Sequence, residues 1–156
     1  MSNKDTPEKT VIAQNRKARH EYAIEEVYEA GIMLKGSEVK SLRTGKVNIS
    51  DAYADEKNGE IWLNGAYISE YKGANQFNHF PTRPRKLLMR KSEIQKMFGK
   101  LKVKGYTLVP MCLYFNKKNI AKIELGLGKG KKLYDKRQDQ KDKDWQRNKE
   151  RIMKEQ

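Results

Sequence analysis

Thr107-Leu-Val-Pro-Met-Cys-Leu-Tyr-Phe115 and Ile120-Ala-Lys-Ile-Glu-Leu-Gly-Leu127, joined by Asn116-Lys-Lys-Asn119, decide the fold class. The second segment alternates, with Ala121, Ile123, Leu125 and Leu127 on one face and Lys122 and Glu124 on the other. That period of two belongs to a half-buried strand, and the polar tetrapeptide makes the pair a long hairpin. Working towards the N-terminus, a second hairpin is written in Asp51–Asp55 and Glu60–Asn64, which flank Lys57-Asn58-Gly59. Asn-Gly favours the tight turn that matches strand twist. Tyr22–Val27 alternates as a further strand, Gly31 marks a bend before Ile32–Leu34, and Ala66–Ser69 continues the sheet after Gly65. Two helices interrupt the strands. Ser37 is placed to cap Glu38–Thr44, where Val39 and Leu42 share a face and Gly45 is read as a left-handed stop. Ile94, Met97, Phe98 and Leu101 repeat at helical spacing in the other. Several short strands with two short helices predict a mainly β protein, a small antiparallel barrel of the oligonucleotide-binding type.

The ends differ from this centre. Residues 1–10 are polar and are expected to be flexible, residues 11–128 hold the barrel, and residues 129–156 form a tail. The stretch Tyr71–Pro84 is polar, contains two prolines, and is expected to be a mobile loop. From Lys129 to Gln156 there are 11 Lys/Arg against 6 Asp/Glu, a surplus of +5, and few apolar residues. So little burial does not offset the entropy of ordering the segment, so the tail is expected to be disordered by itself and helix-capable, folding with a partner. Asp139→Lys143 and Glu150→Lys154 are favourable i,i+4 pairs for such a helix.

Composition narrows function. The 156 residues carry 34 Lys plus Arg and 20 Asp plus Glu, a net charge of +14, with 37% hydrophobic residues and a mean hydropathy of -0.97. A field of that sign attracts polyanions. No run approaches the ~18 apolar residues of a spanning helix, and the first residues lack a signal-peptide core, so a cytoplasmic protein with no membrane partner is expected. Cys112, the single cysteine, lies in an apolar strand and reads as a buried thiol. His20 and His79 stand without metal-ligand spacing, and Gly126–Lys132 lacks the Ser or Thr of a nucleotide-binding loop. No catalytic group, metal, cofactor or small-molecule substrate is therefore expected.

The cations are grouped. Asn15, Arg16, Lys17, Arg19, His20 and Tyr22 put charge, amide, imidazole and phenol within eight residues. Arg binds phosphate in two-point fashion, Lys neutralises it, and aromatic rings stack on unpaired bases. A solubilising barrel edge is the plainer reading of the same residues. Arg83, Arg85, Lys86, Arg90 and Lys91 surround Leu87-Leu88-Met89 as a second cluster, equally readable as a strand with charged flanks. Glu29 either balances surface charge or accepts hydrogen bonds from a base edge. In the tail, Lys143, Arg147, Arg151 and Lys154 would line one helical stripe.

Asn15-Arg-Lys-Ala-Arg-His-Glu-Tyr22, Glu29-Ala-Gly31, Gly36-Ser-Glu-Val-Lys-Ser-Leu-Arg43, Asn48-Ile-Ser-Asp51 and Lys129-Gly-Lys-Lys132 with Asp135-Lys-Arg137 occur in this order. As an ordered set they closely resemble small protein B, the bacterial SsrA-binding family, from about Val11 to Met153. The resemblance implies a barrel that binds the transfer-RNA-like part of transfer-messenger RNA and brings it to stalled ribosomes for trans-translation. It implies contact with the decoding centre and message channel of the ribosome, and with elongation factor Tu indirectly through the charged RNA. Carried over by motif, Asn15, Tyr22, Glu29 and Leu88 resemble the RNA-docking face. Arg16, Lys17, Arg19, His20, Arg43, Arg85 and Lys86 complete the expected RNA-contacting set. Lys129, Gly130, Lys131, Lys132, Tyr134, Asp135, Lys136 and Arg137 resemble the decoding-centre segment, and Trp145, Ile152 and Met153 the part in the channel. Pro84 and Tyr71–Phe80 depart from the family pattern. The rival readings are a ribosomal protein or general single-strand RNA binder on the same barrel, and a metal-dependent nuclease using Asp51, Asp55 and Glu56.

Overall fold

The computed structural model describes residues 9–73, 78–131 and 133–155, with helix side chains at 133–136, 138, 139, 154 and 155 outside the description. Residues 1–8, assigned to a flexible N-terminus, lie outside it. The described elements are β1 (Thr10–Gln14), α1 (Ala18–Glu21), β2 (Tyr22–Ile32), α2 (Gly36–Thr44), β3 (Val47–Asn48), β4 (Tyr53–Lys57), β5 (Glu60–Asn64), β6 (Tyr67–Ile68), β7 (Arg85–Leu88), α3 (Lys91–Leu101), β8 (Tyr106–Phe115), β9 (Ala121–Gly130) and α4 (Leu133–Glu155). The sheet order is β1-β8-β4-β5-β7-β2-β9, and β9 pairs back onto β8. Every pairing is antiparallel. Six strands thus close a barrel and β1 is added outside β8. Its interior is apolar, with Ile61, Leu63, Leu87, Leu108, Ile123, Leu125 and Leu127 almost wholly buried.

The small mainly antiparallel barrel is as expected, and several local expectations change. β2 runs on through Gly31, which pairs with Leu88 and so does not bend the strand. Lys35, not Ser37, sits at the N-cap of α2, because Ser37 Oγ is engaged with His79 Nδ1 at 2.9 Å. Gly45 is extended, with φ -99°, rather than left-handed; a Cβ there would meet Ser69 and Ser41, so closeness explains the glycine. The turn from β4 into β5 is left-handed instead, at Asn58 and Gly59, with φ 54° and 79°. Tyr67–Ile68 pairs with β3 as a separate ribbon instead of continuing the main sheet. The expected mobile loop is held at its described flanks. Asn78 bonds both backbone polar groups of Tyr71, and His79 is buried with Nε2 2.9 Å from the Ile68 carbonyl. The tail is a continuous helix in the structure, where disorder was expected. The helix, Leu133–Glu155, contains no Gly or Pro, and its turns are carried by backbone bonds and pairs such as Gln140–Asp144 at 3.0 Å.

One polar cluster ties the crossovers to the barrel. Glu38, at the start of α2, is fully buried and accepts from the Lys35 backbone N–H (2.7 Å), from Arg83 Nη2 and from Arg85 Nε (2.5 Å). The other guanidinium nitrogens of Arg85 donate to the Ala66 and Pro81 carbonyls at 2.8 and 3.0 Å. Burial pushes the Glu38 pKa up, but the hydrogen bonds from Arg83, Lys35 and Arg85 outweigh it and hold the carboxyl below its ordinary 4.5. A depressed carboxylate stabilises the fold above its unfolded pKa and loses that contribution as pH falls through the folded value. Glu38→Gln leaves buried guanidinium charge unmatched and is expected to cost about 3–5 kcal/mol at neutral pH. In urea titrations the gap between wild type and variant should close progressively below pH 4.5; a constant gap down to pH 2 would show that the charge contributes nothing.

Candidate nucleic-acid interface

β2 carries the interface, and a bulge arranges it. Its register with β9 steps from Ile24 opposite Gly128 to Glu26 opposite Leu127, so Glu25 is an extra residue. An extra residue reverses which side chains face outward. Tyr28, Ala30 and Ile32 enter the main core, whereas Tyr22 and Ile24 pack outside the barrel on Ala18, Val109 and Met111. β8 has a matching step at Met111, between Pro110 and Cys112. Gly126 makes room for this outer cluster, since a Cβ would lie 2.6 Å from Met111 Sδ. Tyr22 and Glu29, seven residues apart, are thereby brought to one outer face, about 20 Å apart along the strand.

At one end of that face, Glu29, Gly31, Leu88, Arg90, Glu93 and Lys122 line a hollow of about 530 Å³. Leu88 is half exposed beside Gly31, and Tyr114 OH donates to Glu29 Oε2. At the other end, Asn15, Glu21, Tyr22, Ser50, Asp51 and Tyr53 line one of about 400 Å³. Asn48 Oδ1 accepts from the Ser50 backbone N–H at 2.8 Å and folds the 48–51 motif into this wall. Asn15, Tyr22, Glu29 and Leu88, the residues expected to dock RNA, therefore occupy one face but two hollows.

The expected contact residues divide further. Arg16, Lys17, Arg19 and Arg43 are exposed, and His20 is half-buried. Arg43 lies 5.7 Å from the Phe115 ring centroid. Arg85, expected among the RNA contacts, is instead 0% exposed, and each of its three nitrogens donates inward, to Glu38, Ala66 and Pro81, so it supports the fold and cannot reach RNA. Lys86 pairs with Glu60 at 3.1 Å. Asn15 is buried, donating from Nδ2 to the Pro110 carbonyl at 3.0 Å, while its Oδ1 has no hydrogen-bond partner among the described residues. The Gly36–Arg43 motif is structural around Glu38, Ser41 and Leu42, all buried.

Between the hollows and α3, carboxylates hold a second row. Lys100 Nζ meets Glu26 at 2.7 Å, which lowers the Glu26 pKa and raises that of Lys100. Burial, with the Glu26 hydrogen bond, pushes Tyr28 up to about 12. Tyr106 donates to Glu25 and lies under Lys129, 4.8 Å from its ring centroid. The Lys131 backbone N–H donates to the Glu21 carbonyl at 2.8 Å, where the chain leaves the barrel beside α1. Gly130 ends β9. Lys132 lies outside the described residues; the backbones of Tyr134, Asp135 and Lys136 are in α4. Arg137, Trp145, Ile152 and Met153 are exposed, Trp145 at 69%. Lys9, Tyr114 and Lys122 were missed by sequence reasoning. Lys9 falls in the segment expected to be flexible and Tyr114 hides in an apolar run; Lys122 alone was legible, as an outward position on β9. Among the described residues, no group of three His, Cys, Asp or Glu converges for a metal, and no helix is long and apolar enough to cross a membrane.

A family model described as SmpB protein matches residues 12–155. The chain belongs to the SmpB family. An SsrA-binding protein of Rickettsia canadensis is 58% identical over 145 residues, covering 93% of this chain and 95% of the relative. One of Symbiobacterium thermophilum is 62% identical over 128 residues, covering 82% and 81%. A solved chain described as "tmRNA-SmpB: a journey to the center of the bacterial ribosome" superposes with a TM-score of 0.65 at 48% identity, covering 80% of this chain and 87% of that one. For this SmpB chain, the buried amide of Asn15 makes a distinct claim on stability. Asn15→Ala removes the donor to Pro110 and is expected to cost about 1–3 kcal/mol, read by urea unfolding; an unchanged midpoint would assign Asn15 to ligand contact alone.

Proposed function

We propose that this protein is a non-enzymatic adaptor that binds the transfer-RNA-like part of transfer-messenger RNA and carries it to stalled ribosomes. The observation that carries this reading is 58% identity, over 93% of the chain, to a relative named SsrA-binding protein. The outer face supports it chemically. Exposed Arg16, Lys17 and Arg19 neutralise phosphate beside Tyr22 and Asn15, while Glu29 and Leu88 offer a base or sugar an acceptor and an apolar contact. The ribosome is reached through Lys129, Gly130, Lys131, Lys132 and α4, with the decoding centre taking the segment to Arg137 and the message channel taking Trp145, Ile152 and Met153. Elongation factor Tu joins through the charged RNA. A cytoplasmic site of action follows from those partners. Phosphate contacts give a log K that falls with log salt by about 0.7 per neutralised charge. A general single-strand binder would accept a random strand equally, and a nuclease built on Asp51, Asp55 and Glu56 would need divalent metal to cleave.

Glu29 faces Glu124 across the β2–β9 pair. Like charges directly opposite oppose folding, so a cation at position 29 relieves repulsion and leaves the fold intact. Glu29→Lys should nonetheless bind the transfer-RNA-like domain more weakly in filter-binding assays, despite two added charge units. Tighter binding would mean that Glu29 only balances charge.

The division of labour places the boundary after Lys131, since β9 extends to Gly130. A chain ended there should keep the melting temperature of the barrel and bind transfer-messenger RNA, more weakly by the lost cations. It should fail to support tagging on stalled ribosomes in a reconstituted translation reaction; normal tagging would remove α4 from the function. In the full chain, amides beyond residue 137 should exchange fast in the unbound protein, because the described side chains of α4 are all exposed.

A further inference from the structure

We infer that Tyr114 is a positioning residue for RNA recognition, holding the Glu29 carboxylate in one orientation at the mouth of the Leu88 hollow. The inference rests on the reading of Glu29 as an RNA contact, and it adds a residue to that site which neither the sequence motifs nor the resemblance singled out.

Glu29 is exposed on β2 and opposite Glu124 on β9, so two carboxylates compete for the same space. Each has a separate partner. Lys9 Nζ lies 3.6 Å from Glu124 Oε2. Tyr114 reaches across β9 from β8 and donates its hydroxyl to Glu29 Oε2. Lys9 also sits over the Tyr114 ring, 4.2 Å from its centroid, and the tyrosine is only 4% exposed. A ring packed and covered in this way has few conformations, so its hydroxyl is a fixed point. Burial, with the Glu29 hydrogen bond, raises the Tyr114 pKa and keeps the hydroxyl protonated as a donor. With Oε2 taken, Oε1 has no hydrogen-bond partner among the described residues, and Glu29 lines the hollow together with Leu88 and Lys122. An exposed glutamate left to itself loses several rotamers when it meets a ligand; one tied by a rigid phenol has lost them already. The phenol thereby turns a mobile surface charge into a directed acceptor for an N–H or 2′-hydroxyl donor of the RNA.

The test is a double-mutant cycle on the full-length protein with the isolated transfer-RNA-like domain as probe, measured across salt. Tyr114→Phe keeps the ring under Lys9, so the melting temperature by circular dichroism should change little. Its affinity should fall about tenfold, the scale of one hydrogen bond to a charged group, with an unchanged salt slope because no phosphate contact is lost. In a Glu29→Gln background the same change should cost nothing further, since the carboxylate that Tyr114 orients is gone. Independent, multiplying losses would overturn the inference, as would wild-type binding by Tyr114→Phe beside a weakened Glu29→Gln, which leaves the role of Glu29 standing. If Glu29→Gln also binds normally, the RNA-contact reading falls and takes this inference with it.

Discussion

Everything on the outside of this barrel depends on a carboxylate at its inside corner. Glu38 is the point where the start of α2, the segment before β7 and β7 itself meet, because its two oxygens collect donors from Lys35, Arg83 and Arg85. Arg85 extends the same constraint to the Ala66 and Pro81 carbonyls. Neither ion could be buried without the other, since an unmatched charge in an apolar interior is far costlier than the pair. The pair therefore fixes a register rather than adding glue. With β7 located, Leu88 must lie against Gly31, and the hollow containing Glu29 takes its shape.

Much of this was legible in sequence, and the failures have physical causes. The alternation of β9 and the Asn58-Gly59 turn were readable because a period of two and a positive φ each demand particular residues. The length of β2 was not, because Gly31 serves close packing against Leu88 rather than a bend. The bulge at Glu25 leaves no mark in composition, yet it decides that Tyr22 and Glu29 face the same way. Arg85 illustrates the opposite error. A cation among cations looks like surface, and only the fold reveals the buried glutamate 47 residues earlier that claims it. The resemblance motifs likewise mix two kinds of residue, since Gly36–Arg43 builds the frame while the Asn15 and Glu29 motifs build the face.

The two halves of the molecule are held by different physics. The barrel is closed by long-range strand pairing around an apolar interior, whereas α4 is a polar helix whose described side chains are all exposed. Helices of that kind gain most of their stability from packing against something else. Trp145, Ile152 and Met153 are exposed apolar side chains available for such packing, with Arg147 and Arg151 between them. A rigid reader and a helix that awaits its surface are joined through the Lys131–Glu21 backbone bond.

Closure by β9 has a consequence for how the protein is made. β9 is the last strand among the described residues, and it seals both β2 and β8. Until it emerges from the ribosome, those two strands expose unpaired edges of the kind that recruit other chains. The barrel cannot fold progressively during synthesis; it must close in one late step, with partners separated by about a hundred residues in the case of β2.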